Sequence, residues 1–309
     1  MATIRTVGRA WAAISTIAAI VVVASGTLAQ SGRHSASERG KQVLHVIAES
    51  DGSGTTRSIR KEDFDYFEGG APQTIESLEL DQSPASIALV VDNTKTLKIG
   101  VDQLKEAARS IVNELYEGDR MMVVGYDESP YILQEFTTNL DALDATAESK
   151  FQKAGAPHLF DALAAIVTDA FSGIGTEKRI VVLLSDGYDS GSKTKFDAIV
   201  ATLQRENIVV YVLEAPDRTR NASRLEGPKP RQAIARLTEA TGGRAFPLAE
   251  SAKAAKLITE ELRLNWFRAV YTPRGVDRLQ DRNLLIIRHE TSGPTIRIKS
   301  ALPGRRANS

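Results

Sequence analysis

The chain has 309 residues, 39 basic and 39 acidic side chains and a charged fraction of 25%. That balance carries neither the electrostatic footprint of a nucleic-acid binder nor the composition of a disordered chain, and the length allows one large or two modest domains. There is no cysteine, which excludes disulfides, thiolate metal centres, a cysteine nucleophile and lipid attachment at a cysteine.

Residues 1–29 read as a targeting segment. Arg5 and Arg9 precede an uncharged stretch from Ala10 to Ala29, which ends in Thr27-Leu28-Ala29 before Gln30. Cleavage there releases an exported protein into the periplasm or the medium. The alternative is an uncleaved membrane anchor, because the stretch is about long enough to cross a bilayer. Residues 30–85 are expected to form a polar lead-in and a small β module. Its strands are expected over 42–49, 59–68 and 74–80, with Gly69-Gly70-Ala71-Pro72 as the turn between the last two.

From Ser86 the pattern alternates buried strand and helix, which implies a doubly wound, mainly parallel α/β sheet. The run Ile87-Ala88-Leu89-Val90-Val91 stops at Asp92, Thr94 and Thr96. Such a short, β-branched run suits a strand buried on both faces, and ligands gather beyond the carboxyl ends of such strands. Three oxygens alternating along one loop suit a hard cation, Mg²⁺ or Ca²⁺; an acid in that place can equally be a helix cap.

A helix over 99–116, a strand over 121–126, an edge strand over 131–136 and a helix over 140–150 are expected next. After Gly155-Ala156-Pro157-His158 a helix runs to Phe171. A second fully buried strand, over 179–184, also stops at an acid, in Ser185-Asp186-Gly187. A helix over 195–206 and a strand over 208–213 lead to a polar, Arg-rich insertion over 216–230, too long for an ordinary connection. A helix over 231–241, a strand over 243–247 and a helix over 251–264 close the body at 86–264. The helices then stop, and strands over 266–271, 284–289 and 295–299 form a C-terminal β extension over 265–309. Ten Lys or Arg from Arg263 onward face three acids; that surplus suits an anionic surface or, more plainly, the wet face of strands.

The order Asp-x-Thr-x-Thr at Asp92, Thr94 and Thr96, then Gly155 to Leu163, then Val181 to Gly187 resembles a von Willebrand factor type A domain. The flanks, 61–70 and 266–273, resemble those of exported bacterial proteins with a related domain. The resemblance implies a metal-ion-dependent adhesion site whose ligands are Asp92, Thr94, Thr96 and Asp186. The family usually has serines where Thr94 and Thr96 stand. Its second-loop threonine falls on Pro157, which has no side-chain oxygen.

Lys95, Pro157, His158 and Tyr188 fall on the partner-binding loops, and an inward-folded Lys95 would stand in for a cation. The implied function is a non-catalytic interaction or adhesion module of the cell envelope. Mg²⁺ or Ca²⁺ would there bridge to an Asp or Glu of a protein partner, with no nucleic acid involved. One alternative is a metal-free structural or assembly subunit. Another is a metal-dependent hydrolase, disfavoured because Asp92 lacks a second acid two residues on and no Gly-x-Ser-x-Gly or Gly-rich phosphate loop occurs.

Overall fold

In chain order, β1 (Gln42–Ala48), β2 (Phe64–Glu68), β3 (Ala71–Gln73) and β4 (Ile75–Leu80) precede the body. The body runs through β5 (Ala85–Asp92), α1 (Val101–Asn113), β6 (Arg120–Tyr126), β7 (Pro130–Thr137), α2 (Leu140–Ser149) and α3 (Leu159–Ala165). It continues through β8 (Lys178–Ser185), α4 (Phe196–Arg205), β9 (Ile208–Glu214), α5 (Pro230–Thr241), β10 (Ala245–Pro247) and α6 (Ser251–Leu264). β11 (Trp266–Tyr271), β12 (Arg282–Arg288), β13 (Ile296–Arg297) and β14 (Ala301–Leu302) follow. The structure, a computed structural model, describes residues 40–149, 151, 155–175, 178–219, 227–290 and 293–304. The expected targeting segment lies outside the described residues. Among the described residues no helix is long and apolar enough to cross a membrane.

The body is the doubly wound sheet that the strand–helix alternation implies. Its strand order is β10-β9-β8-β5-β6-β7, parallel except for the antiparallel β7. All eight residues of β5 are buried, because helices cover both faces. Ile87, Leu89 and Val91 pack with α1, α2 and α6, whereas Ala88 and Val90 face α3, α4 and α5. Burying each such aliphatic side chain contributes about 1.5–3 kcal/mol. The chain leaves β5 on one side for β6 and β7, then returns on the other side for β8 and β9. The carboxyl ends of β5 and β8 therefore flank the reversal of strand order, where a crevice opens.

Helix α1 begins at Val101, not 99, because the Gln103 side chain accepts the Gly100 N–H at 3.0 Å and caps the first turn. Residues 166–170 continue α3 as one π turn. Strand β2 starts only at Phe64, since Lys61–Asp63 is a 3₁₀ turn held by Asp63 on the Arg60 N–H at 2.8 Å. Ala71-Pro72, expected in a turn, belongs to strand β3; the reversal is confined to Gly69 and Gly70, at φ +57° and +81°.

The strands before and after the body interleave in two small sheets, β13-β1-β11-β4 and β14-β12-β2-β3. β11 pairs with both β1 and β4, and β12 pairs with β2. Leu44, Val46, Phe64, Tyr66, Phe267 and Tyr271 share the core between the sheets. The basic surplus of the C-terminal stretch is partly internal. Arg282 reaches buried Glu68 at 2.6 Å, Arg263 reaches Asp119 at 2.6 Å, Arg297 pairs with Glu261, and Lys299 donates to the Gln204 carbonyl at 3.1 Å. These four cations are ties within the chain, neither a wet face nor a basic surface.

Candidate functional site

Asp92 ends β5 and Asp186 follows β8 directly, so parallel pairing brings the two acids to one edge. Both are buried, and Thr94 is buried beside them while Thr96 is exposed. The Asp92 loop is shaped by its own acid. Asp92 Oδ1 accepts the Thr94 N–H at 3.1 Å and the Thr94 hydroxyl at 2.6 Å, a turn typical of aspartate. Asp92 Oδ2 receives the hydroxyls of Tyr126, at the end of β6, at 3.1 Å and of Ser185, at the end of β8, at 3.2 Å. The Asp186 loop turns at Gly187, with φ +80° and Ile234 and Pro230 packed against its Cα.

A further side chain enters from the loop after β9. Arg218 is 4% exposed at its side chain and lies among the four predicted ligands. Its Nε donates to Asp186 Oδ2 at 2.9 Å and its Nη2 to Asp186 Oδ1 at 2.8 Å and to Asp92 Oδ2. Its Nη1 donates to the hydroxyl oxygens of Thr94 and Thr96, each at 2.7 Å. A guanidinium has five N–H groups, and all five are used. The Arg218 backbone N–H adds a sixth bond, to Asp186 Oδ2 at 2.9 Å. Asp217 Oδ1 fixes the adjacent turn through the Thr219 N–H at 2.6 Å and hydroxyl at 2.7 Å.

Burial outweighs the pull of the Arg218 charge and the Thr94 hydroxyl and holds the Asp92 carboxyl above its ordinary value. Burial alone would lower the Arg218 pKa; the hydrogen bonds to Asp186 and the charge of Asp92 outweigh it and hold the guanidinium above its ordinary value. Every side-chain contact on Asp92 is with a donor-capable group, the arrangement an ionised carboxylate requires.

Of the predicted residues, Asp92, Thr94, Thr96 and Asp186 thus converge, but on an arginine. As arranged they do not fit a divalent cation, because the oxygens that would ligate it are committed to Arg218. Pro157 adds no side-chain oxygen, and its carbonyl accepts the Ser190 N–H at 2.7 Å. Among the described residues no group of three or more His, Asp or Glu could hold a metal ion. Lys95 is exposed and has no place in the centre.

Tyr188 lies beside the centre, its ring centroid 5.6 Å from the Arg218 guanidinium carbon, and its N–H donates to Asp186 Oδ1 at 3.1 Å. His158 precedes α3 without capping it through its side chain; its ring lies against Gly191, where a Cβ would stand 3.0 Å from Nε2. The loop after Tyr188 is tied to the start of α3. Asp161 accepts the N–H groups of Lys193 and Thr194 at 2.9 and 2.8 Å, and Asp189 accepts that of Phe160 at 3.1 Å. Above Arg218 a cleft of about 530 Å³ is lined by Lys95, Thr96, Glu128, Pro157, Tyr188 and Thr219, among others.

Arg218, Tyr126 and Ser185 are the site residues that sequence reasoning missed. A signal for Arg218 existed in the long Arg-rich insertion that leaves the carboxyl end of a buried strand.

Comparison with known proteins bears on the fold. The von Willebrand factor type A domain family matches residues 86–259, more than half of the chain. No curated protein matches the sequence. A solved aerotolerance-related membrane protein from Bacteroides fragilis is 15% identical, over 58% of this chain and 98% of that one, with a TM-score of 0.46. A von Willebrand factor type A protein from Catenulispora acidiphila is 10% identical over 86% of this chain and 74% of its own, with a TM-score of 0.49. Proximal thread matrix protein 1 from the mussel byssus is 12% identical over 64% and 51%, with a TM-score of 0.50. At these identities the likeness is one of fold alone.

Proposed function

The chain belongs to the von Willebrand factor type A family, and from that membership we propose that it is an exported, non-catalytic interaction module that receives a protein partner at the carboxyl rim of its sheet. Domains of this family are generally non-catalytic interaction modules. The observation that carries the reading is the cleft over Arg218, where Tyr188 and Pro157 stand among Lys95 and Glu128. An aromatic anchor in a concave, mixed-charge rim is the kind of surface that protein partners use. The hydrogen bonds that Asp161 and Asp189 accept hold the Tyr188 loop in place before any partner arrives, which lowers the ordering cost of binding.

Both oxygens of Asp92 are engaged by neighbouring donors. That favours a structural acid over a nucleophile or general base, which must reach its substrate. The reading uses no bound Mg²⁺ or Ca²⁺, and the partner need not present an Asp or Glu. Export rests on Arg5, Arg9 and the uncharged stretch 10–29.

Photo-crosslinking in the native cell tests the proposal. A crosslinking side chain placed at Tyr188 or Thr219 is expected to join the chain to the same protein species. The same group at exposed Asn113, on α1, should not. Equal labelling from all three positions, or none from the rim, would overturn it.

A further inference from the structure

We infer that Arg218 is the resident cation of this centre, that the intact chain therefore takes up no divalent ion there, and that removing the guanidinium uncovers a latent cation site in the same oxygens. The match of donors to acceptors carries the inference. Five side-chain N–H groups meet two carboxylates and two hydroxyls, and each N–H has an oxygen within hydrogen-bond reach. The fork on Asp186 is the bidentate pairing for which a planar guanidinium is suited and an ammonium is not.

The arginine is also held from outside the fork. Its own N–H binds Asp186, the Asp217–Thr219 turn encloses it, and the Tyr188 ring lies alongside. A dissolved cation would have to displace a charge that the chain itself delivers to the spot, at an effective concentration no solute reaches. It would also leave a buried guanidinium unpaired, which is costly.

The arrangement changes what the centre can offer a partner. A divalent ion between two carboxylates would balance their charge and keep a vertex open for a third. Arg218 balances only one of the two, and every N–H it has points inward. The guanidinium therefore has no N–H left for a partner carboxylate and offers it no open coordination position. This inference concerns the ion alone, so it stands or falls apart from the crosslinking result.

Thermal unfolding of the purified protein after chelation, with and without 10 mM Mg²⁺, Ca²⁺ or Mn²⁺ (about that concentration), tests it. The wild-type midpoint is expected not to move. Arg218→Ala is expected to unfold at a lower temperature and to regain about 5 °C or more when the cation is in hundredfold excess over its dissociation constant. Arg218→Ala combined with Asp186→Asn should lose that response. Should Arg218→Ala fail to fold, Arg218→Gln keeps a neutral hydrogen-bonding side chain at the position. Titration calorimetry with Mn²⁺ should then show binding to Arg218→Gln and none to wild type. A cation response in the wild type would overturn the inference, as would its absence from both variants.

Discussion

Arg218 grips Asp186 with two parallel prongs, Nε to Oδ2 at 2.9 Å and Nη2 to Oδ1 at 2.8 Å, across side chains that are 4% and 0% exposed. A lysine cannot reproduce this grip: its single ammonium has three donors and no plane. Arg218→Lys is therefore expected to destabilise the protein by about 2–4 kcal/mol, the range for a buried pair left imperfectly matched. Urea unfolding measures it. The loss should persist in 0.5 M salt (about that), because buried pairs are screened little. By contrast, Arg236→Ala removes an exposed ion pair with Asp197 and should cost less than about 1 kcal/mol. Equal losses in the two variants would contradict this account of the centre.

Gly187 sets the direction of the Asp186 loop. Its φ is +80°, and a Cβ there would lie 2.7 Å from both Ile234 Cγ1 and the Pro230 carbonyl oxygen. Gly187→Ala combines backbone strain with a clash against α5 and should cost at least about 2 kcal/mol. Because Asp186 is the adjacent residue, the same variant should loosen Arg218. Hydrogen exchange at the Arg218 amide, protected in the wild type by Asp186, is the specific readout. Unchanged protection would show that the loop does not depend on the glycine.

Glu261 ties the body to the interleaved sheets. It accepts from the Tyr211 hydroxyl in β9 at 2.8 Å, from Arg244 at 3.2 Å and from Arg297 in β13. Glu261→Gln leaves two cations facing a neutral amide and is expected to cost about 3 kcal/mol. Amide exchange should rise first in β13 and at the strand end of β1 paired with it, Ile47 and Ala48. A uniform rise across the chain would show that Glu261 acts on global stability alone.

His45 is expected to make stability depend on pH. It lies against Trp266 at 5.2 Å, and burial, with help from Lys299, lowers its pKa to about 4. Lys178 and Arg268 push the same way, and Asp81 opposes them. The folded state therefore prefers neutral His45, while the unfolded chain protonates near pH 6.5. Stability from this group is whole above about pH 6.5 and is lost progressively as the pH falls toward 4, by roughly 2–3 kcal/mol. His45→Gln should flatten that slope between pH 6.5 and 4 in denaturant titrations. An unchanged slope would assign the acid sensitivity elsewhere.

The strands and helices of the body were legible because burial imposes a period on the sequence. β5 and β8 read as continuous apolar runs since both faces of each are covered, and α1 shows its inner stripe at Leu104, Ala107, Ala108, Ile111 and Val112. Short polar strands are harder to read. Ala71–Gln73 holds a proline and no buried residue, and it is a strand only because β2 lies beside it. The arginines of the C-terminal stretch read as surface charge because nothing local reveals the acids that bury them.

The sequence by itself determined the doubly wound sheet, through its alternation of buried strand and helix, and its resemblance to the von Willebrand factor type A family implied the convergence of Asp92, Thr94, Thr96 and Asp186. Only the tertiary structure decided which cation those oxygens hold. Arg218 meets Asp92 across 126 residues of chain, and their meeting depends on β9 lying next to β8, and β8 next to β5, in the sheet. Lys95, close in sequence, is exposed at the rim, while Arg218, distant in sequence, is buried among the four side chains. A charge is paired by the neighbour that shares its buried space, and neighbours in space are assigned by strand order, which no local period encodes.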